Sequence, residues 1–161
     1  MDKVLIFSPN KCTGCGLCEL ICSLGHTQTC NPTRSRIRIL RMEQKGVAVQ
    51  TFCQQCEDAA CIAACPVAAI AKNGSSGTIE IDHELCTLCE ACVTACPFNG
   101  INLDDKDGKI IACDLCGGTP HCAEYCETKA IVFSEKTPVT LQKKKDSLLE
   151  LGELLRLARE Y

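Results

Sequence analysis

Cysteine constrains this chain more than any other residue, because sixteen of its 17 Cys fall into four runs of four. The most regular run is Cys86-Thr87-Leu88-Cys89-Glu90-Ala91-Cys92-Val93-Thr94-Ala95-Cys96-Pro97. Three thiols stand two residues apart, and a fourth follows after three more, with a proline behind it. Thiolates at that spacing wrap three corners of a 4Fe–4S cubane from one turn of backbone, while the fourth is carried off by the next helical turn to face a second cluster. The other runs are Cys12, Cys15, Cys18 and Cys22; Cys53, Cys56, Cys61 and Cys65; and Cys113, Cys116, Cys122 and Cys126. Cys30 is left over and is read as a thiol that ligates nothing. Four groups of four match four cubanes. Zinc is the rival metal, since paired C-x2-C motifs also build zinc sites, but zinc does not require the third and fourth Cys repeated four times.

Composition points the same way. The 161 residues include no Trp, four Phe and two Tyr, too few large side chains for an ordinary core, so the clusters are expected to fill the middle. A net charge of −3 and a pI near 5.6 leave no nucleic-acid footprint. The opening Met1–Pro9 stretch is too short for a signal h-region, and no apolar run reaches the span of a bilayer. A cytoplasmic protein without membrane insertion is expected, where clustered Cys mean metal rather than disulfides.

The chain then reads as alternating covers and strands. Residues 3–7 form a short buried strand, and Gly14 and Gly16 let the backbone approach a cluster closely. Leu17, Leu20 and Ile21 suggest a turn or two of helix; Ser23 stands where a proline is expected, and 23–35 reads as a polar loop. Residues 36–39 and 46–50 are strands, with Arg34, Arg36, Arg38 and Arg41 placed to face solvent or an acidic partner. Strand–turn–strand units at 70–82 and 100–112 repeat each other, marking a duplication, and a strand ending at Phe133 is the partner for 3–7. The Lys143-Lys144-Lys145 run reads as solvated, and Ser147-Leu148-Leu149-Glu150 as a capping box opening a helix to about residue 160. Its Leu148, Leu151, Leu155 and Ala158 face packs on its own domain or on another subunit. His26, His83 and His121 lie near the runs, where a His satisfies loop backbone or hydrogen-bonds a cluster sulfur.

The four-run pattern resembles the polyferredoxin-type iron–sulfur subunits of the dimethyl sulfoxide reductase and formate dehydrogenase beta class. Cys12–Cys22 followed by Ser23-Leu24-Gly25-His26, then Asn31–Ile37, Cys53–Asp58 and Cys113–Gly118, look most like the small subunits of tungsten aldehyde oxidoreductase-type enzymes. The resemblance covers roughly residues 3–134. It implies an α+β fold of two fused ferredoxin-like modules around four 4Fe–4S clusters. The outer half would be 1–50 with 110–136, the inner half 51–109, and residues 137–161 a helical docking tail. The runs interleave in that class, so one cluster takes Cys12, Cys15, Cys18 and Cys126, and a second Cys22, Cys113, Cys116 and Cys122. A third takes Cys53, Cys56, Cys61 and Cys96, and a fourth Cys65, Cys86, Cys89 and Cys92.

The function so implied is an electron-transfer subunit with no catalytic site of its own. It relays electrons one at a time between a tungsten or molybdenum catalytic subunit and a further flavin or iron–sulfur subunit or soluble carrier. Copies joined through their terminal clusters would extend the row. A free-standing polyferredoxin, or the corresponding subunit of a hydrogenase, formate dehydrogenase or carbon monoxide dehydrogenase, is the alternative; a zinc interaction module is the distant one. The chain lacks the proline after the fourth run and the membrane anchor of longer beta subunits.

Overall fold

The computed structural model describes residues 3–43 and 46–159. Strand β1 (Lys3–Phe7) carries Val-Leu-Ile-Phe with all four buried, because it lies between β8 (Ile131–Glu135) and the C-terminal helix. It pairs antiparallel with β8, Lys3 opposite Glu135 and Phe7 opposite Ile131, so the two ends of the domain close on each other as expected. Strands β2 (Ile37–Met42) and β3 (Val47–Phe52) form an antiparallel pair. So do β4 (Ile70–Lys72) with β5 (Ile79–Ile81), and β6 (Ile101–Asp104) with β7 (Lys109–Ala112). The β4–β5 turn closes when the Asn73 carboxamide accepts the Ser75 and Ser76 N–H groups.

Helices cover the Cys runs. Helix α1 (Leu17–Thr27) packs on α4 (His121–Glu124), joining the first run to the fourth; α2 (Ala60–Ala63) packs on α3 (Ala91–Ala95), joining the second to the third. The apolar core is thin: Phe7 and Phe52 meet edge to face at 5.7 Å, with Ile37, Ile101, Ile110 and Ile131 buried around them and seven cysteines buried beside them.

Four local expectations are corrected. Helix α1 runs on to Thr27, over a turn into the stretch read as loop, because Ser23 is not a proline; its buried hydroxyl donates to the Leu20 carbonyl and accepts from the Asn31 N–H at 3.0 Å. The C-terminal helix α5 (Pro138–Arg159) starts well before Ser147. Its cap is Thr137, whose hydroxyl accepts the Thr140 N–H while the Thr137 N–H donates to Thr140 Oγ1; Ser147 instead donates to the Lys143 carbonyl inside the helix. Leu151 and Leu155 bury against the chain's own domain, with α5 lying on β1.

The arginines are partnered within the chain, Arg34 buried and Arg41 still exposed. Arg34 is buried on Asp104 and Asp107, Arg36 pairs with Asp114, Arg38 donates to the Thr33 and Ser35 carbonyls, and Arg41 reaches the Gly14 carbonyl and Glu19. The lysine run is not all solvated either, since Lys144 donates to the Gln54 carbonyl at 2.7 Å.

Candidate iron–sulfur sites

Each run begins with the same backbone device. Two residues after its first Cys the chain turns into the left-handed region: Gly14 at φ 69°, Gln55 at 53°, Leu88 at 56° and Leu115 at 57°. Glycine takes this conformation without penalty, and at Gln55, Leu88 and Leu115 the strain is held by the surrounding fold, as happens at functional loops. A second repeat follows the fourth Cys of runs two to four, where Ala68, Asn99 and Lys129 are again left-handed, each three residues on. That turn aims the next N–H back at the thiol. Ala69 N–H donates to Cys65 Sγ at 3.2 Å and Gly100 N–H to Cys96 Sγ at 3.3 Å. In the first run the helix continues instead, and Cys22 Sγ takes the Arg36 N–H at 3.4 Å from the following strand entry.

Twelve of the thiols line three partly open spaces. One is lined by Cys12, Cys15, Cys18 and Cys126, a second by Cys22, Cys113, Cys116 and Cys122, and a third by Cys53, Cys56, Cys61 and Cys96. Each is lined by three thiols of one run and one from the fourth position of another. Of the remaining four, Cys86 and Cys92 lie close enough to repel each other as thiolates, and Cys65 follows α2, which packs on the α3 that carries Cys92. Cys89 is exposed, as is Cys15; Cys30 is exposed on the surface outside the three spaces. The charged neighbours of the thiols also run across the spaces. Cys122 feels Cys18, Cys113 feels Cys53, and Cys92 feels Cys61.

Burial pushes the Cys18 and Cys53 thiols up to about 12, and Cys113 and Cys122 rise for the same reason. Sulfur in such surroundings becomes thiolate by binding a metal, not by losing a proton to solvent. The fourth-position thiols Cys22 and Cys126 go the other way. Burial raises both, but His26 and the Arg36 N–H outweigh it at Cys22, and N–H groups of Ile131, Ala130 and Lys129 with the Thr128 hydroxyl outweigh it at Cys126. Donors aimed at sulfur, thiols grouped in fours and dry surroundings suit a cubane's four thiolate corners.

His26 takes both roles envisaged for it. Its Nδ1 lies 2.8 Å from the Cys22 carbonyl and 3.8 Å from Cys22 Sγ, and its Nε2 lies 3.1 Å from Asp114. Both ring nitrogens face acceptors, so the Asp114 hydrogen bond, then Cys22, raise its pKa to about 10. The same contact, with Arg36, holds Asp114 well below the usual carboxylate range against burial. Asp114 and Arg36 were not singled out as site residues. The only sequence signal was the position of Asp114 directly after Cys113. His121 meets the second set through its backbone, whose N–H donates to the Cys116 thiol, while its ring Nδ1 lies 3.5 Å from Glu124.

The 4Fe–4S dicluster domain family matches residues 44–136, and the 4Fe–4S binding domain family matches residues 5–23. The chain belongs to the 4Fe–4S dicluster ferredoxin family. It is an iron–sulfur protein of the electron-transfer type. Over 122 residues it is 40% identical to the "Aliphatic sulfonate oxidoreductase, polyferredoxin-like subunit" of Pyrococcus furiosus, covering 76% of this chain and 70% of that one. It is 37% identical over 143 residues to the "Putative electron transport protein YsaA" of Escherichia coli, covering 81% and 88%. It is also 40% identical over 133 residues to the beta subunit of "NADH-dependent phenylglyoxylate dehydrogenase" of Aromatoleum evansii, 80% of this chain but only 29% of that subunit. In fold it is similar to a chain of the "Active site complex BamBC of Benzoyl Coenzyme A reductase", with TM-score 0.52 and 23% identity over 99% of this chain and 97% of that one. None of the described helices is long and apolar enough to cross a membrane.

Proposed function

We propose that the chain carries four 4Fe–4S clusters in a row and serves as the electron-transfer subunit of a tungsten- or molybdenum-dependent oxidoreductase complex. Its ligand sets are Cys12, Cys15, Cys18 and Cys126; Cys22, Cys113, Cys116 and Cys122; Cys53, Cys56, Cys61 and Cys96; and Cys65, Cys86, Cys89 and Cys92. The observation that carries the reading is the crossing of runs within single spaces. A Cys from run four joins run one, a Cys from run one joins run four, and a Cys from run three joins run two. The fourth set follows by the same rule and by the left-handed turn at Leu88 that it shares with the others.

The row has an order. Cys18 and Cys122 adjoin between the first and second sets, Cys53 and Cys113 between the second and third, and Cys61 and Cys92 between the third and fourth. The outer module thus holds the first two sets, closed by β1–β8 and α1–α4; the inner module holds the other two, closed by the β4–β5 and β6–β7 hairpins and α2–α3. When bound, each cubane supplies one-electron chemistry. The protein's share is spacing, dryness and N–H donation to sulfur. The terminal sets open to solvent at Cys15 and Cys89, and Leu85 and Leu88 are exposed beside Cys89, which suits contact with redox partners at the two ends.

The subunit assignment draws on relatives that are themselves named as subunits of larger enzymes. A free soluble carrier is the second reading, favoured by the pairing of the arginines within the chain and the docking of α5 on its own domain. Anaerobic purification of the untagged native protein decides between them. Co-elution with a larger subunit containing tungsten or molybdenum is expected; elution of the 17.4 kDa chain alone would overturn the subunit role.

A further inference from the structure

Lys144 belongs to α5, beyond the residues matched by either iron–sulfur family, yet its ammonium lies at the third Cys set. Nζ donates to the Gln54 carbonyl at 2.7 Å, between Cys53 and Cys56 in the chain. From β4, Lys72 Nζ donates to the Cys56 carbonyl at 2.8 Å. Both ammoniums therefore bind the one short loop that supplies two of the set's thiols. Lys136 is a further cation near enough to repel Lys144. Among the described residues, none of the three lysines forms an ion pair with a carboxylate. The other sites differ: Arg41 beside the first set is paired with Glu19, and Arg36 beside the second with Asp114.

An ammonium drawn out of water is costly unless negative charge compensates it. Burial lowers the Lys144 pKa, and the groups that oppose this are Cys56 and Cys53. Cluster ligation makes those sulfurs permanent thiolates, and the electron the site accepts adds one more negative charge. A fixed cation nearby stabilises the reduced form more than the oxidised form, and partial exclusion of water strengthens the effect.

On the four-cluster reading above, we propose that Lys144 is a potential-setting residue. The C-terminal helix holds its ammonium over the Cys53–Cys56 loop and thereby raises the reduction potential of the cluster carried by Cys53, Cys56, Cys61 and Cys96. Lys72, on the same loop, acts in the same direction. The tail of the chain is then an electrostatic element of the electron path as well as a packing element.

The test is a redox titration followed by electron paramagnetic resonance on the full-length, anaerobically prepared chain, alongside iron content. Lys144→Gln keeps a donor for the Gln54 carbonyl and removes the charge; Lys144→Arg keeps the charge. The expected result is unchanged iron in both variants and one reduction step moved to lower potential in Lys144→Gln, the other steps staying in place and Lys144→Arg staying close to wild type. Unmoved steps in an iron-replete Lys144→Gln, or an equal shift in Lys144→Arg, would overturn the proposal. If Lys144→Gln loses iron, Lys72→Gln carries the same test with the same expected direction. Failure of the four-cluster reading shows separately, as wild-type protein short of iron.

Discussion

Gly100→Ala tests how the third site is held together. A Cβ at Gly100 would lie 2.6 Å from the Cys53 Cα and N and 2.7 Å from the Phe52 carbonyl carbon. Carbon contacts settle at about 3.5–4.0 Å, so the two segments must separate by roughly 1 Å. The obstacle is the backbone at the end of β3, where Phe52 is only 1% exposed, so no flexible side chain can swing aside. Overpacking of this kind costs about 1–3 kcal/mol, and the rigid neighbour favours the upper end. In a domain of this size that is on the order of 5–10 °C in Tm. The site should suffer more than the fold. Gly100 N–H donates to Cys96 Sγ, and Cys53 and Cys96 line one space, so the methyl would push apart two of the ligands proposed for one cluster. The assay is iron content with visible absorbance and thermal melting, and the expected loss is about four iron per chain with the other sites retained. Gly74→Ala is the control, with nothing within 4 Å of its Cβ and no cost expected. Full iron and an unchanged Tm in Gly100→Ala would refute the close approach of these segments.

Three further outcomes are expected. Ser23→Pro, which restores the proline of the ferredoxin pattern, should destabilise the chain by about 3 kcal/mol or more in chemical denaturation, because Ser23 is interior to α1. Arg34→Met should cost about 3–5 kcal/mol by leaving the buried Asp104 carboxylate uncompensated. In the wild type, burial raises the Asp104 carboxyl, but Arg34 with the Lys106 and Asp107 N–H groups outweighs it and holds the pKa below its ordinary value, so this contribution is present above the unfolded carboxyl pKa and fades only below about pH 4, measurable as a pH-dependent stability difference between the two proteins. On the proposed ligand sets, Cys30→Ser should keep all its iron by metal analysis, whereas Cys92→Ala should lose a cluster and lower the Tm, because ligation couples to folding.

The Cys spacing made the iron–sulfur chemistry legible, and the β4–β5 and β6–β7 hairpins and the β1–β8 closure followed from short apolar runs between turn residues. What escaped was governed by long-range partners. Arg34, Arg36, Arg38 and Arg41 read as an outward stripe because alternation in β2 says which side a residue faces, not that Asp104, Asp114 or Glu19 will come from distant segments to meet it. The α5 start was missed because Ser147-Leu148-Leu149-Glu150 has the letters of a capping box, whereas Thr137 and Thr140 cap the helix with a reciprocal Thr–Thr pair. Once α5 begins at Pro138, Lys144 falls on an inward-turned position, which a run of three lysines does not announce. The left-handed turns at Gln55, Leu88 and Leu115 were equally hidden, since only Gly14 among the four equivalent residues has the composition that signals them.

Iron and acid-labile sulfide per chain, measured on anaerobically purified wild-type protein, test the central claim most directly. Four cubanes require about sixteen of each, with zinc absent. A plateau near eight iron after full reconstitution, or stoichiometric zinc in place of iron, would contradict it.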